Sequence, residues 1–542
     1  MIRLVFLAYF TSLSASHCAA QPYDIIISGG AVYDGMGNPP IHADIGIRKD
    51  SIAFIGSMDQ AVGMQIISAA GLAVAPGFIN MLSWADGTLL KDGRSMSDIK
   101  QGVTLEVFGE GISPGPRKRR MGSKLWTTLG GYFDYLEKQG VSPNFASFVG
   151  ATSVRTYVMG DVNRQPTADE LAQMRRLVRQ AMQEGALGVG SSLIYAPATF
   201  ATTNELIELC KVAAGYKGMY ISHLRSESDK ILEALNELFT IAREARVPAE
   251  IYHLKINQSR NWDKIDKVLA KIDSARKTGL RITANMYPYT ASATGLKERV
   301  PTWAQEGTAA EMRKRLVDPA MRKRILSDMG LGFPTRNSDP EHVVILGFKS
   351  DTLNKLYKGK RLDEVARLHG KSADETVLDL VVADKTSVPS LYFLMSEENM
   401  RRMLKQPYVS IGSDGGSLAL TPAFMELGAH PRAYGTFARV LGKYSREEKL
   451  FSLEEAIRRM TSLPAANLGL KKRGALKLGH SADVVVFDPA TLIDKATYDQ
   501  PHQYAEGVRY VTVNGVLVIK DGEHTGATPG RCLRGPGYSP AK

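Results

Sequence analysis

The sequence predicts an α/β protein, a (β/α)8 TIM barrel carrying a small β-sandwich built from both chain ends. Three observations lead there. Strand-like apolar runs alternate with amphipathic helical runs through the middle of the chain, while residues from about 22 to 74 and the last 68 read as short strands. Neither terminal piece is large enough to hide its own apolar face, so pairing them around an inserted barrel serves both. The length, 542 residues, exceeds one small core and suits a large barrel with satellites. An open doubly wound sheet is the alternative, but no G-x-G-x-x-G follows the first strand.

Residues 1–20, "MIRLVFLAYFTSLSASHCAA", carry an early Arg3, an apolar run from Leu4 to Phe10 and small residues before Gln21. This is the pattern of a signal peptide cleaved after Ala20, so the mature chain is expected to be secreted or periplasmic. His17 beside Cys18 argues against a lipid-attachment site, which wants a small residue there. No later run approaches the ~18 apolar residues of a membrane span. Residues 21–74 hold the strands "YDIIISGGAVYDG", "ADIGIRKDSIAFIG" and "GLAVAP", the first part of the sandwich.

The barrel is assigned to 75–474. Its eight strands are "AVAPGFI", "GVTLEVF", "NFASFVG", "ALGVGSS", "GMYISH", "AEIYH", "RITANMYPY" and "YVSIGSD". The helix "TADELAQMRRLVRQAMQEG" has apolar residues at helical spacing and Gly185 as its stop, and "ILEALNELFTIAREARV" is nearly as clear. The stretch 296–406 between strands seven and eight is far longer than a normal βα loop and holds helical runs. It leaves the face where βα loops build active sites, so it is expected to be a lid subdomain. Residues 475–542, with "SADVVVFD" and a hairpin at Asn514-Gly515, complete the sandwich.

Composition excludes little beyond this. The chain is 44% hydrophobic and 23% charged, ordinary for a globular protein, with a net charge of +12. The basic stretch "GPRKRRMGSK" (Gly115 to Lys124) lacks interleaved aromatics and falls in a loop, so it reads as solvated surface and no nucleic-acid partner is expected. Beyond the leader only Cys210 and Cys532 remain, too few for a disulfide framework.

The candidate chemistry stands at strand ends. His223 closes "GMYISH" and His253 closes "AEIYH", 30 residues and one βα unit apart, so both belong on the catalytic face as metal ligands. Asp414 ends the eighth strand and is the candidate general acid/base. Barrel hydrolases that bind metal often end the first strand in His-x-His, but "APGFINMLSWAD" holds Leu82 and Trp84 in those slots. The second strand, "GVTLEVFGEGIS", therefore supplies the third ligand. Glu110, at the mouth, completes a His2Glu zinc set, and Glu106, within the strand, is the alternative. Lys255, Tyr289 and Arg432 are three donors that could grip a substrate carboxylate.

The segments "SHLRSES", "YHLKI", "YPYTAS", "IGSDG", "HPRAYGTFARVLGKYSRE", "MTSLPAANLGL", "RGALKLGHSADVVVFD" and "VNGVLVIKDGEHTGATPGR" resemble the N-acyl-D-amino-acid deacylases (D-aminoacylases) of the amidohydrolase superfamily. The resemblance runs through nearly the whole mature chain. It implies the same barrel, sandwich and insertion, a zinc cofactor, and hydrolysis of the N-acyl bond of a small-molecule N-acyl-D-amino acid. It matches His223 and His253 to the metal histidines, Asp414 to the acid/base, and Lys255, Tyr289 and Arg432 to the carboxylate grip. Two departures follow from the same likeness. The family's Gly-Phe-Ile-Asp-x-His-x-His has lost both histidines, and its zinc-binding cysteine in Gly-Asn-Cys-Gly is replaced at Gly109-Glu110-Gly111. One tight zinc site is therefore expected. A metal-free binding protein on the same fold and a hydrolase of another C–N bond are the alternative readings.

Overall fold

The structure, a computed structural model, describes residues 23–58, 63–118, 126–330, 339–426 and 428–540. The leader read at 1–20, and the basic stretch beyond residue 118, lie outside them. Eight parallel strands form the barrel. They are Phe78–Asn80, Val103–Phe108, Asn144–Ser147 (continued by Val149–Gly150), Gly188–Ser192, Met219–His223, Ala249–Ile251, Ile282–Met286 and Val409–Ile411. Each pairs with the next. The ring closes where Met81 N donates to Ile411 O (3.2 Å) and Asp414 N to Leu82 O (2.8 Å).

The helices cover this ring because their apolar residues recur on one face. Ala168–Glu184 buries Met174, Val178, Ala181 and Met182, spaced at four, three and one. Thr167 and Glu170 close a reciprocal cap at its start, and Gly185, at φ 108°, ends it. Ile231–Ala245 buries Ile231, Leu235, Leu238, Phe239 and Ile241, each worth about 1.5–3 kcal/mol against water.

Both chain ends meet in one nine-stranded sheet. Its order runs from Glu523–His524 through Val516–Lys520, Val508–Val513, Val484–Phe487, Ala73–Pro76, Tyr23–Val32 and Ile41–Arg48 to Ser51–Gly56, with Gly63–Ser68 also beside Tyr23–Val32. Val484–Phe487 lies antiparallel to Ala73–Pro76, which joins the two ends. Val484 and Val486 pack against Ile25, Ile45 and Ile47, while Val485 and Phe487 pack into the barrel core. Burial on both faces explains an apolar run with no polar alternation.

Three boundaries differ from expectation. The strand Ala73–Pro76, divided by a boundary at 75, lies wholly in the sheet. The turn into the barrel comes at Gly77, where a Cβ would sit 2.2 Å from Thr104 Oγ1. The insertion begins earlier and ends earlier than 296–406. Its sheet is made of Ala291–Gly295, Pro389–Phe393 and Val343–Ile345, over a separate core that includes Leu316, Ile325, Leu362 and Val377. The helix Glu397–Leu404 returns to the barrel, where Met400, Met403 and Leu404 join the main core. Finally, residues 529–535 leave the sandwich. Gly530 N donates to Val141 O, Leu533 N to Phe145 O and Gly535 N to Gly185 O, so the tail runs beside the third barrel strand. Among the described residues no helix is long and apolar enough to cross a membrane.

Candidate active site

The C-terminal ends of the barrel strands surround a cavity of about 430 Å³, with Ser292, Ala293, Thr294, Lys297 and Tyr392 of the insertion on its rim. Glu110 reaches it from the loop after the second strand. It stands between Gly109 (φ 106°) and Gly111 (φ 71°), and a Cβ at Gly109 would lie 2.5 Å from Phe148 O. His223 is the last residue of the fifth strand. Parallel pairing sets Ser222 beside Ile251, so the register would bring Tyr252, not His253, level with His223. His253 turns inward because its backbone is left-handed (φ 33°), and Asp414 shares this conformation (φ 50°). Such backbone in a residue with a side chain costs about 1–3 kcal/mol and clusters at functional sites.

These turns bring three ligand-type atoms together. Glu110 Oε1 lies 2.9 Å from His223 Nδ1 and 3.1 Å from His253 Nε2. All three residues are buried, and their ligand atoms lie within 4.8 Å of one another. Two imidazoles and a carboxylate form an established zinc donor set, so the residues present fit that metal. Burial opposes ionisation of Glu110, yet the two histidines hold its carboxyl well below the usual range. Burial and Lys255 both oppose a charge on His253, but Glu227 and Glu110 outweigh them and push it up to about 9. The same negative field favours a metal cation.

Trp84 stands at the cavity edge in place of a first-strand histidine. Its indole N–H donates to Glu110 Oε2 (3.1 Å) and to Asp414 Oδ1 (3.0 Å). Leu82 is fully buried in the barrel interior. Arg432 Nη1 lies 2.9 Å from Asp414 Oδ2, and its guanidinium sits 4.6 Å over the Tyr287 ring. Burial works against the Arg432 charge, but Asp414 and Tyr287 hold its pKa above the ordinary value. His430 fixes this arginine. Its Nδ1 accepts from Arg432 N (3.0 Å), which leaves Nε2–H to donate to Ala291 O of the insertion (2.9 Å). Lys255 Nζ lies 2.7 Å from His253 Nδ1 and donates to Glu227 Oε1 (2.6 Å).

Two expectations are corrected. Tyr289 does not line the cavity. Its hydroxyl faces Asp494 at 3.4 Å and its ring packs on His430. The seventh strand ends at Met286 and Pro288 turns the chain, so residues 287 and 289 no longer share a face. Tyr287 lines the cavity instead, with a buried hydroxyl that has no partner among the described residues. Glu106, the alternative ligand, is fully buried away from the histidines, where it accepts from Asn80 Nδ2 (3.1 Å) and Ser95 Oγ (3.2 Å). Glu227 was not anticipated. Its position in "SHLRSES" reads as loop polarity, and the one signal is its spacing four residues after His223.

The geometry agrees with the chain's relatives. Residues 348–519 match the amidohydrolase family. The chain is 35% identical over 533 residues to D-aminoacylase from Alcaligenes xylosoxydans xylosoxydans, covering 96% of this chain and 99% of that protein. The chain belongs to the D-aminoacylase family. It is thus an amidohydrolase, an enzyme class acting on amide C–N bonds. Solved structures agree. One, of D-aminoacylase, concerns its binuclear metal centre, with activation by one metal and attenuation by a second. It is 34% identical, has a TM-score of 0.79, and is matched over 95% of this chain and 100% of that one. Another, N-acyl-D-glutamate deacylase from Bordetella bronchiseptica with zinc and a phosphonate mimic of the tetrahedral intermediate, is 30% identical with a TM-score of 0.80 at the same coverage.

Proposed function

We propose that this enzyme hydrolyses the amide bond of N-acyl-D-amino acids, using one zinc ion held by Glu110, His223 and His253. The observation that carries the reading is the approach of Glu110 Oε1 to both imidazoles, at 2.9 and 3.1 Å. When bound there, zinc supplies Lewis acidity toward water and the acyl carbonyl. Asp414 takes the proton of the attacking water and returns it to the departing nitrogen. Its carboxylate is aimed for this by Trp84 N–H on one oxygen and Arg432 on the other. The substrate carboxylate is gripped by Lys255, the Tyr287 hydroxyl and Arg432, whose Nε has no hydrogen-bond partner among the described residues. Two buried carboxylates, Glu110 and Glu227, and the half-buried Asp414 face two cations, Lys255 and Arg432. With a divalent ion bound and both imidazoles neutral, these charges leave a single positive excess, matched to a monoanionic substrate.

The choice of one metal rests on Trp84, whose N–H occupies the space between Glu110 and Asp414. The D-configuration and the zinc rest on the relatives, and export rests on the leader-like residues 1–20. The test is elemental analysis of purified protein together with matched N-acyl-D- and N-acyl-L-amino acids. About one zinc per chain and turnover of the D series are expected. Fully active protein without metal, or turnover of the L series alone, would sink the reading.

A further inference from the structure

One carboxylate at the site has no part in the reaction above. Glu227 is 4% exposed. Its Oε1 accepts from Lys255 Nζ (2.6 Å) and lies 3.1 Å from His253 Nδ1. Its Oε2 lies 3.4 Å from His223 Nε2 and accepts from Asn257 Nδ2 (3.2 Å). Its own backbone oxygen takes Asn257 N at 2.7 Å, which fixes the loop that carries it. A carboxylate offers about four acceptor sites. Lys255 and Asn257 donate to this one, and the two imidazoles face it at ion-pair distance, with His223 Nε2 otherwise without a hydrogen-bond partner among the described residues.

Each imidazole therefore spans two carboxylates. His223 turns Nδ1 to Glu110 and Nε2 to Glu227, while His253 turns Nε2 to Glu110 and Nδ1 to Glu227. A neutral imidazole carries one proton, and the acceptor at its far nitrogen decides where that proton stays. With both rings neutral around a metal, an acceptor behind each favours the tautomer whose proton is on the far side, and at His253 Glu227 does this in competition with the Lys255 ammonium 2.7 Å from the same Nδ1.

We propose that Glu227 is a positioning residue shared by the whole site, a single carboxylate that sets the tautomer of both metal histidines and tethers Lys255 of the carboxylate grip. The inference rests on reading Glu110, His223 and His253 as zinc ligands. It explains why the negative charge is divided between two residues on opposite sides of the rings. Glu110 faces the metal, and Glu227 orients what faces it. It also ties metal loading to substrate binding, since Lys255 and His253 share the same Oε1.

The test begins from the zinc-loaded enzyme and measures zinc affinity by competition with a chelator. In Glu227→Gln the amide must turn its NH2 toward one imidazole and favour the wrong tautomer there. Zinc binding should weaken about 10- to 100-fold, the usual effect of losing an outer partner of a metal histidine. With zinc saturating, KM for an N-acyl-D-amino acid should rise as Lys255 loses its anchor. Glu227→Asp keeps the charge but is one methylene shorter, and it too should bind zinc more weakly. Glu205→Gln, which breaks the buried Arg155–Glu205 pair away from the histidines, should lower thermal stability and leave zinc affinity unchanged. Zinc affinity within about threefold of the parent in both Glu227 variants would overturn the inference, as would equal loss in Glu205→Gln. If the parent itself holds no zinc, the reading of the site fails and this inference with it.

Discussion

Trp84→Phe removes one hydrogen-bond donor and keeps an aromatic wall. The indole N–H is shared between Glu110 Oε2 at 3.1 Å and Asp414 Oδ1 at 3.0 Å. A hydrogen bond to an ionised acceptor contributes about 1.5–3 kcal/mol. Here one proton serves two oxygens, and the residue is 37% exposed, so solvent screening selects the low end, about 1.5–2 kcal/mol. If that orientation of Asp414 is needed in the transition state, kcat falls by about ten- to thirtyfold. KM changes little, because neither acceptor grips the substrate carboxylate. The variant also leaves two carboxylates facing one another with no donor between them, which invites a cation. Protein equilibrated with rising zinc, freed of excess and analysed for metal should move from about one equivalent per chain toward two. A kcat within twofold of the parent together with an unchanged metal count would refute the view that the indole N–H stands in for a second cation.

Asp414→Asn should lower kcat by at least ~10² at unchanged zinc content, the usual worth of a general acid/base; rates normalised to bound metal check this. Tyr287→Phe should raise KM for N-acyl acids by about tenfold, the low end for one charge-assisted bond, and leave the corresponding amides alone. Tyr289→Phe, whose hydroxyl faces Asp494, should keep KM within twofold of the parent on both. Glu106 bears on pH. Burial pushes its carboxyl from an ordinary 4.5 up to about 7, although Ser83, Ser95 and Asn80 pull the other way. The folded state holds this proton more tightly than the unfolded chain does. The stabilisation is therefore full below about pH 4.5 and is lost as pH rises through about 7, and it is shared with Asp98, whose buried carboxyl is also raised by burial and by Glu106. Glu106→Gln should flatten that decline, so its melting temperature should gain on the parent between pH 5 and pH 8. Parallel stability profiles would count against it.

The barrel strands were legible because each is a short apolar run bounded by turns, a pattern that local sequence carries in full. His223 and Asp414 were legible for the same reason, as polar residues at the ends of such runs. His253 was found by that rule, yet pairing alone would have left it out of register, and what brings it in is a positive φ that no composition announces. Tyr289 was chosen over Tyr287 because spacing cannot see that the strand has already ended. Glu227 was invisible because its meaning lies in side chains from two neighbouring strands. The tail beyond residue 528 carries no strand pattern, since its hydrogen bonds go to a barrel edge far away in sequence.

The pairing of Ala73–Pro76 with Val484–Phe487 joins segments about 400 residues apart, so the sheet is completed only when both ends of the chain are in place. Closing a flexible loop of that length would cost about 5 kcal/mol of chain entropy; the barrel, closed where Asp414 N meets Leu82 O, has already brought its two ends together. Without residues 484–487, Ala73–Pro76 lacks its neighbour on one edge, and the apolar groups of Val485 and Phe487 do not cover the barrel. The final residues then lie along the third barrel strand and complete a molecule whose first-made part has waited for its last. A chain without these strands leaves a sheet edge open to association, and fragments ending before residue 484 are expected to be the aggregation-prone ones.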